Sequence, residues 1–537
     1  MEFWKSRRGY LLAPGAFVIG SLLVLDGSAA RTENGWVAGD FHQHSTYTDG
    51  SNPIATVMDK NNEFGLDWWA NSEHGGAFPT DGYGPILVNG FDTGEYARRW
   101  NGDYPPGTIL GAPGLASMWR WQSLRDYSFD DVLDARRRYG KPVFQSLEWN
   151  VPGHEHCSMG VIAGQFTGQP SAAAVAQFEY LFDGKDTDMH ANGGLAQGWT
   201  GKNSTNNHAK ALQALAWLQA NYPRTSYTVF AHPERKGAGD PNYVGSGSKG
   251  YDIRDFRDFN NAAPDVAFGF ESMPGHQKDA NRGGYSSGAF GGAFGGVGVY
   301  AAKVGGLWDA MLGEGRRWWL FASSDFHDTE GDFWPGEYQK THTYVADPRS
   351  PQAIVDGLRS GNSFVVTGDL ITALDFSAQY GNEKATMGET LPVVLKKGTG
   401  NPVKITIRFR TPAHNNNNDP VFLDHIDLVA GQITGRVLPG SSGYNDATNP
   451  TTTVMATFTA SDWEDEGDGW HVIQYHVRLD KDMYFRLRGT NLAPNTPNET
   501  DADGNPLADS LMGPNTAAKA WADLWFYSNP IFVRVQR

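Results

Sequence analysis

Two histidines separated by one residue, His42 and His44, follow the short apolar run Trp36-Val37-Ala38, and a carboxylate, Asp49, comes five residues later. On a strand, residues at i and i+2 point to the same face, so both imidazoles can aim at one point. Thr48-Asp49-Gly50 then turns the chain and Ser51-Asn52-Pro53 opens a helix. A histidine pair at a strand end with a carboxylate just beyond is what a metal cluster needs at the mouth of an α/β barrel.

The same pattern recurs along the chain. Leu66 to Ala70 reads as a strand delivering Glu73 and His74, and Pro142 to Leu147 as one ending on Glu148. Pro152-Gly153 is a turn signal, and a hairpin there sends His154 and His156 back toward Glu148. Tyr227 to Phe230 delivers His232, Val266 to Phe270 delivers Glu271 and then His276, and Trp318 to Ala322 delivers Asp325 and His327. One such residue means little, but so many strand ends bearing His, Asp or Glu point to a shared site at one face of a barrel. Mixed imidazole and carboxylate ligands suit Zn, Mn or Fe and are too nitrogen-rich for Ca or Mg alone. Cys157 is the single cysteine, which excludes a thiolate site and an intrachain disulfide.

The elements that must position these residues alternate strand with helix up to about residue 364. Helices are expected over Ile54 to Phe64, Phe129 to Tyr139, His208 to Tyr222 and Pro351 to Leu358, the last capped by Ser350. Residues 75–127 read as a loop-rich insertion over the site, and 283–306 as a loop rich in glycine and aromatics. Beyond Phe364 the texture changes to short alternating strands, such as Val403 to Arg410, His425 to Val429, Thr452 to Phe458 and His471 to Arg478. This is a β-sandwich signal, with the boundary near residue 370.

A chain of 537 residues, 39% hydrophobic and 19% charged, is globular and long enough for two or more domains. Its net charge of −16 argues against nucleic acid as a partner, because no basic surplus exists to neutralise phosphates. Residues 1–30 read as an export signal: Lys5, Arg7 and Arg8 precede an apolar stretch, and Ser28-Ala29-Ala30 offers small residues for cleavage. Ser6-Arg7-Arg8-Gly9-Tyr10-Leu11 also resembles a twin-arginine signal, with an ordinary secretory signal as the alternative. A periplasmic or secreted protein is expected, with no later stretch apolar enough to span a bilayer.

In order, His-x-His with a following Asp-Gly, Glu-His, Glu with a later His, Ala-His-Pro and Ser-Asp-x-His resemble the polymerase and histidinol phosphatase (PHP) superfamily of metal-dependent phosphoesterases, over roughly residues 37–368. The segment from Leu358 to Gly368, followed by a β-domain, resembles an exported branch of that superfamily near its carbamate (carbaryl) hydrolases. The resemblance implies an α/β fold, a distorted (β/α)7 barrel over 31–369 followed by a smaller all-β sandwich over 370–537. It implies two or three divalent transition-metal ions. His42, His44, Glu148 and Asp325 would hold the first, Glu148 would bridge to a second held by His156 and His232, and Asp49, His74 and His327 would hold a third. His154 lies on the same hairpin face and could take the place of His156.

The activity implied is metal-assisted hydrolysis by a metal-bridged hydroxide, with Glu148 and Asp325 at its centre and a small phosphate ester as substrate. Arg235 reads as a phosphate clamp or as a surface arginine, and His276 as a general acid or as a loop histidine. Arg98, Arg99 and Arg120 in the insertion are further cations, and Glu73 is expected to orient His74. The alternatives are a carbamate, ester or amide hydrolase on the same scaffold, and a carbohydrate- or polymer-binding protein with structural metals. Elsewhere, Asp501-Ala502-Asp503-Gly504-Asn505 resembles part of a calcium loop or an Asx-rich turn, and His190 and His208 read as surface histidines.

Overall fold

Short runs rich in aromatic and β-branched residues, bounded by polar turns, form the strands that matter here. In the computed structural model the described residues are 35–536, apart from 89–90, 97, 101–116, 167–172, 236–249, 286–291, 395–401 and 510–515. The expected export signal and part of the glycine-rich loop lie outside the described residues.

The fold is mixed α/β with one large sheet, of 15 strands. Trp36–Asp40, Trp68–Asn71 and Val143–Asn150 run parallel, as do Ser226–Ala231, Ala267–Met273 and Trp319–Ala322. Between the two groups lies His156–Val161, antiparallel to both neighbours, which leaves all six strands pointing the same way. Every residue of these six strands is buried, so apolar residues occupy both faces and the polar ones among them, such as Gln145 and Glu148 in Val143–Asn150, are buried too.

The sheet curls so that one end meets a strand in its interior. Trp319–Ala322 is last in the strand order, yet the Ala322 N–H donates to Thr341 Oγ1 at 2.8 Å and Thr341 Oγ1 donates to the Ala322 carbonyl at 2.7 Å. Thr341 sits on Gln339–Tyr344, which pairs with Trp36–Asp40 on one side and Ser363–Thr367 on the other. The sheet does not stop there. Ser363–Thr367 also pairs with Trp525–Ser528, and through Met483–Thr490 the ladder continues to His425–Gln432 and Thr453–Thr459.

A separate five-stranded sheet contains Ala373–Tyr380, Val403–Arg410 and Trp470–Val477. Val403–Arg410 alternates buried and half-buried residues, as expected of a strand with one face inward. Its Ile405, Ile407 and Phe409 share one apolar cluster with Ile426, Leu428, Leu487 and Phe526 of the large sheet. A second cluster fills the space among the parallel strands and their helices, with Phe144, Leu147, Phe230, Phe270 and Trp318. The helix Pro351–Ser360 is capped as expected, the Ser350 hydroxyl accepting the Ala353 N–H at 3.2 Å. Among the described residues, no helix is long and apolar enough to cross a membrane.

Buried charge links the early and late parts of the chain. Arg486 donates from Nε and Nη2 to the two carboxylate oxygens of Asp309, each at 2.8 Å, and both side chains are fully buried. Tyr484 adds a hydrogen bond to the same carboxylate. Removing one partner strands the other charge in a dry interior, which costs about 3–5 kcal/mol. Asp309→Ala should therefore lower stability by about that amount in denaturant unfolding, whereas Asp309→Leu combined with Arg486→Met should recover most of it. Equal losses in the single and double variants would show that packing, not stranded charge, sets the cost.

Candidate metal centre

Because the six strands share one direction, their C-terminal ends lie on one side of the sheet, and the chain leaves each end with a chemically active residue. His42 and His44 follow Trp36–Asp40, His74 follows Trp68–Asn71, His232 follows Ser226–Ala231, His276 follows Ala267–Met273, and Asp325 and His327 follow Trp319–Ala322. Two residues arrive differently. Glu148 lies inside Val143–Asn150 instead of just beyond it, and His156 opens the antiparallel return strand, at the same end because it pairs with Asn150. His232, His276 and Asp325 have φ values of 32°, 57° and 45°. Non-glycine residues adopt that region at a cost, and such outliers cluster where a site holds its side chains in place.

Glu148 stands at the centre. Its Oε1 lies 3.1 Å from His42 Nε2, 2.9 Å from His156 Nδ1 and 3.2 Å from His232 Nε2. Its Oε2 lies 2.8 Å from His74 Nδ1 and 3.2 Å from His44 Nε2. Asp325 Oδ1 approaches His42 Nε2 at 3.0 Å and His44 Nε2 at 3.4 Å. At the outer edge Asp49, its side chain 47% exposed, reaches His74 Nε2 at 3.2 Å, His44 Nδ1 at 3.5 Å and His327 Nε2 at 3.6 Å.

Many of these approaches are not hydrogen bonds. His42 Nε2, His44 Nε2, His74 Nδ1 and Glu148 Oε2 are buried and make none, although each lies within 3.2 Å of a potential partner. Ring nitrogens and carboxylate oxygens that crowd together without N–H···O alignment have their lone pairs converging on shared points, as ligands around a cation do. The donor set fits divalent transition metals. Among the groups of described residues whose ligand atoms lie mutually within 4.8 Å are His42, Glu148, His232 and Asp325; His74, Glu148 and His156; Glu155, His156 and His232; and His44, Asp49, His74 and His327. The groups overlap: His232 lies with His42 and Asp325 as well as with His156, and His44 lies with the outer group as well as near Glu148 and Asp325.

The electrostatics follow from burying this many ionisable groups together. Burial opposes a charged imidazole, yet contact with Asp325 and Glu148 raises His44 to about 9, and Glu148 and Asp49 raise His74 to about 10. Burial alone would push the Glu148 carboxyl up, but His156, His74 and His42 hold it well below its ordinary value. Asp325 behaves likewise beside His42 and Arg235. His232 goes the other way, because burial and the Arg235 charge both disfavour its imidazolium.

Supporting residues hold the ligands in place. Glu271 Oε2 lies 3.0 Å from His42 Nδ1, which leaves Nε2 turned toward Glu148 and Asp325. Asp332 Oδ1 sits 2.6 Å from His276 Nδ1, and its Oδ2 accepts the His327 N–H at 2.7 Å. His276 Nε2 then faces Asp325 Oδ2 at 3.5 Å. Gly275 is required here, since a Cβ on it would lie 2.1 Å from the Ser324 carbonyl. Arg235 donates from Nη1 to Asp325 Oδ2 at 2.9 Å and from Nε to the Gly283 carbonyl at 3.0 Å, which puts its guanidinium against the cluster. Glu271 lies inside Ala267–Met273, near its end, and was visible as a carboxylate after an apolar run; Asp332 has no local signal, because only the folded loop brings it to His276.

Other residues take different places from those expected. Glu73 does not orient His74; its carboxylate accepts from the Ser45 N–H, the Ser45 hydroxyl and the Thr48 hydroxyl, bracing the loop between His44 and Asp49. Short polar groups on that loop compete better for a buried carboxylate than a ring already facing Glu148. Arg98 donates to the Pro79 carbonyl, Arg99 pairs with Asp81 and Asp131, and Arg120 lies buried against Tyr47. His154 turns away from Glu148 toward His208. Asp501 accepts from the Asp503 and Asn505 N–H groups and the Asn505 amide, which is an Asx-rich turn.

The shifts give the metal-free protein a definite pH signature. His44 and His74 are raised above the unfolded value of about 6.5, so their stabilisation is complete below it and is lost as pH rises through about 9 and about 10. Glu148 and Asp325 are lowered, so theirs is present above the ordinary value of about 4 and is lost as pH falls. Metal-free protein should melt highest between about pH 5 and 7 and progressively lower toward about pH 10 in calorimetry. Zinc-loaded protein should show little of that alkaline decline, because loading displaces the same protons. A metal-free Tm that climbs from neutral to alkaline pH would contradict these charge states.

No family model matches the chain, and no curated protein matches it. Among solved structures it is similar to a two-domain protein from Bacteroides vulgatus, described as containing a predicted PHP-like metal-dependent phosphoesterase. The identity is 12% and the TM-score 0.34, over 88% of this chain and 93% of that one, a likeness too remote to assign the chain to a family.

Proposed function

We propose that this chain is an exported, metal-dependent hydrolase that cleaves small phosphate esters. The observation that carries the reading is the ring of imidazoles around Glu148, in which His42, His44 and His74 bring buried nitrogens to within 3.2 Å of its carboxylate without hydrogen-bond alignment. The curl of the sheet and the shared strand direction support a distorted (β/α)7-type barrel over about residues 31–369. The two sheets around one apolar cluster support a β-sandwich from about residue 370.

Glu148 belongs to two of these groups and would help to hold ions in both; His42, His232 and Asp325 would complete one group, and His74 and His156 the other. Divalent ions held there would lower the pKa of bound water and stabilise developing negative charge. The protein's own residues do the rest. Asp325 ties the cluster to Arg235, and a phosphoryl oxygen arriving beside Asp325 would meet that guanidinium, which offers charge-assisted hydrogen bonds. His276, held by Asp332 with Nε2 toward Asp325, is positioned to give a proton to a leaving alkoxide.

Elemental analysis combined with turnover of phosphomonoesters, phosphodiesters, carboxyl esters and carbamates tests the reading. Glu148→Gln should abolish turnover on the preferred class while leaving the fold intact by circular dichroism. The substitution keeps the shape and removes the charge shared by two ligand groups. Near-normal turnover would mean that Glu148 does not bridge.

Arg235 separates a phosphoryl from a carbonyl substrate. A phosphate ester brings at least one full charge, and a lost charge-assisted hydrogen bond of about 1.5–3 kcal/mol should lower kcat/KM about ten- to a hundredfold in Arg235→Ala. Neutral esters and carbamates should lose much less, and Arg235→Lys should recover only part of the loss, because the planar fork is gone. Metal content is measured alongside, since Arg235 also holds Asp325. Equal losses on charged and neutral substrates with unchanged metal content would retire Arg235 as a phosphate clamp and favour a carbonyl hydrolase.

A further inference from the structure

We propose a second cation site, separate from the metal centre and made by His154, His208 and Asp255, that takes a single divalent transition ion such as Zn²⁺. The three come from different elements. His154 lies in the turn before His156–Val161, His208 is the first residue of the helix His208–Asn221, and Asp255 stands in the first turn of the helix Ile253–Ala262. His154 Nε2 lies 2.9 Å from His208 Nδ1 and 3.9 Å from Asp255 Oδ1, and His208 Nδ1 lies 3.4 Å from the same oxygen. A tetrahedral ion with bonds of about 2.0–2.1 Å holds its ligand atoms about 3.3–3.4 Å apart. The three separations bracket that spacing.

The surroundings are those of a metal site. His208 turns its other nitrogen, Nε2, to Asp258 Oδ2 at 3.3 Å, and Asp258 Oδ1 accepts from the Tyr444 hydroxyl at 2.5 Å. A carboxylate on the far side of a ligating imidazole fixes its tautomer and raises its basicity. Asp255 uses Oδ2 to accept the Asp252 N–H at 2.9 Å, so Oδ1 is the atom turned to the histidines. His154 packs against the Tyr251 ring, stacked at 5.2 Å, and the Phe259 ring, nearly perpendicular at 5.7 Å. A single proton shared by the two histidines accounts for the 2.9 Å contact but not for Asp255 Oδ1 closing the triangle. His154 and Asp255 are buried and His208 is half-buried, which lets an ion enter from the surface.

The consequence is mechanical. His156, which faces Glu148, is two residues along the same hairpin from His154. An ion here would tie that hairpin to two helices and hold His156 at the centre without sharing a ligand with it. The inference does not depend on the reaction proposed above.

Zinc counting tests it. Protein reconstituted with zinc and then dialysed should hold one ion more per chain in the wild type than in His208→Ala. Asp49→Ala, altered only at the main centre, should keep this ion. The zinc-dependent rise in Tm should shrink in His208→Ala. Equal zinc counts in wild type and His208→Ala would overturn the site. Crystals of the wild type, measured at the zinc absorption edge, give an answer that needs no variant. An anomalous peak among His154 Nε2, His208 Nδ1 and Asp255 Oδ1 is expected, and its absence in zinc-reconstituted protein would overturn the proposal.

Discussion

One buried carboxylate sets the terms for the rest of this molecule. Glu148 is 1% exposed and has imidazole nitrogens of five histidines within 3.2 Å. A carboxylate taken out of water is costly unless positive charge surrounds it. In the metal-free protein that charge comes from protons on the rings, which is why His44 and His74 titrate so high. Those protons occupy the positions where cations would sit, so ion loading and proton release are one equilibrium.

The sheet exists in a form that makes this convergence feasible. Parallel strands need long crossovers, and those crossovers return each strand in the same direction, with its C-terminal end on the same side. His156–Val161 breaks the rule, and its reversal brings His156 to the site from the start of a strand instead of the end of one. The loops at that side are braced by groups that are not ligands. Asp40 accepts from the His42 and Ser324 N–H groups, linking the loop after Trp36–Asp40 to the loop after Trp319–Ala322, and Glu73 holds the turn before Asp49. Removing such a brace would shift ligands that it never touches.

The late strands are not a loose appendage. Ser363–Thr367 belongs to both ladders, and Arg282 reaches from beside the site to Asp523 and Tyr338. The fully buried Asp309–Arg486 pair makes the same connection deeper in the core. Such contacts couple the stability of the site loops to strands more than a hundred residues away in sequence.

Much of the candidate site was legible in the residues themselves. Histidines and carboxylates immediately after short apolar runs mark strand ends, and strand period and chain direction are local properties. The alternation of Val403–Arg410 and the capped helix at Pro351 were legible for the same reason. What no local pattern contains is which atoms meet. His154 and His156 are equivalent on a hairpin read from sequence, but pairing of Asn150 with His156 sends one ring to Glu148 and leaves the other against His208. Glu73 and Asp332 found partners that depend on how loops stack, and although Asp252 caps the helix carrying Asp255, nothing local brings that helix to the hairpin of His154. The sequence by itself determined the supply of histidines and carboxylates and the side of the sheet they occupy, because both follow from residue type and strand direction. Only the tertiary structure decided their grouping, because the geometry of the cluster is set by ångström-scale distances between segments that the chain brings together after long crossovers.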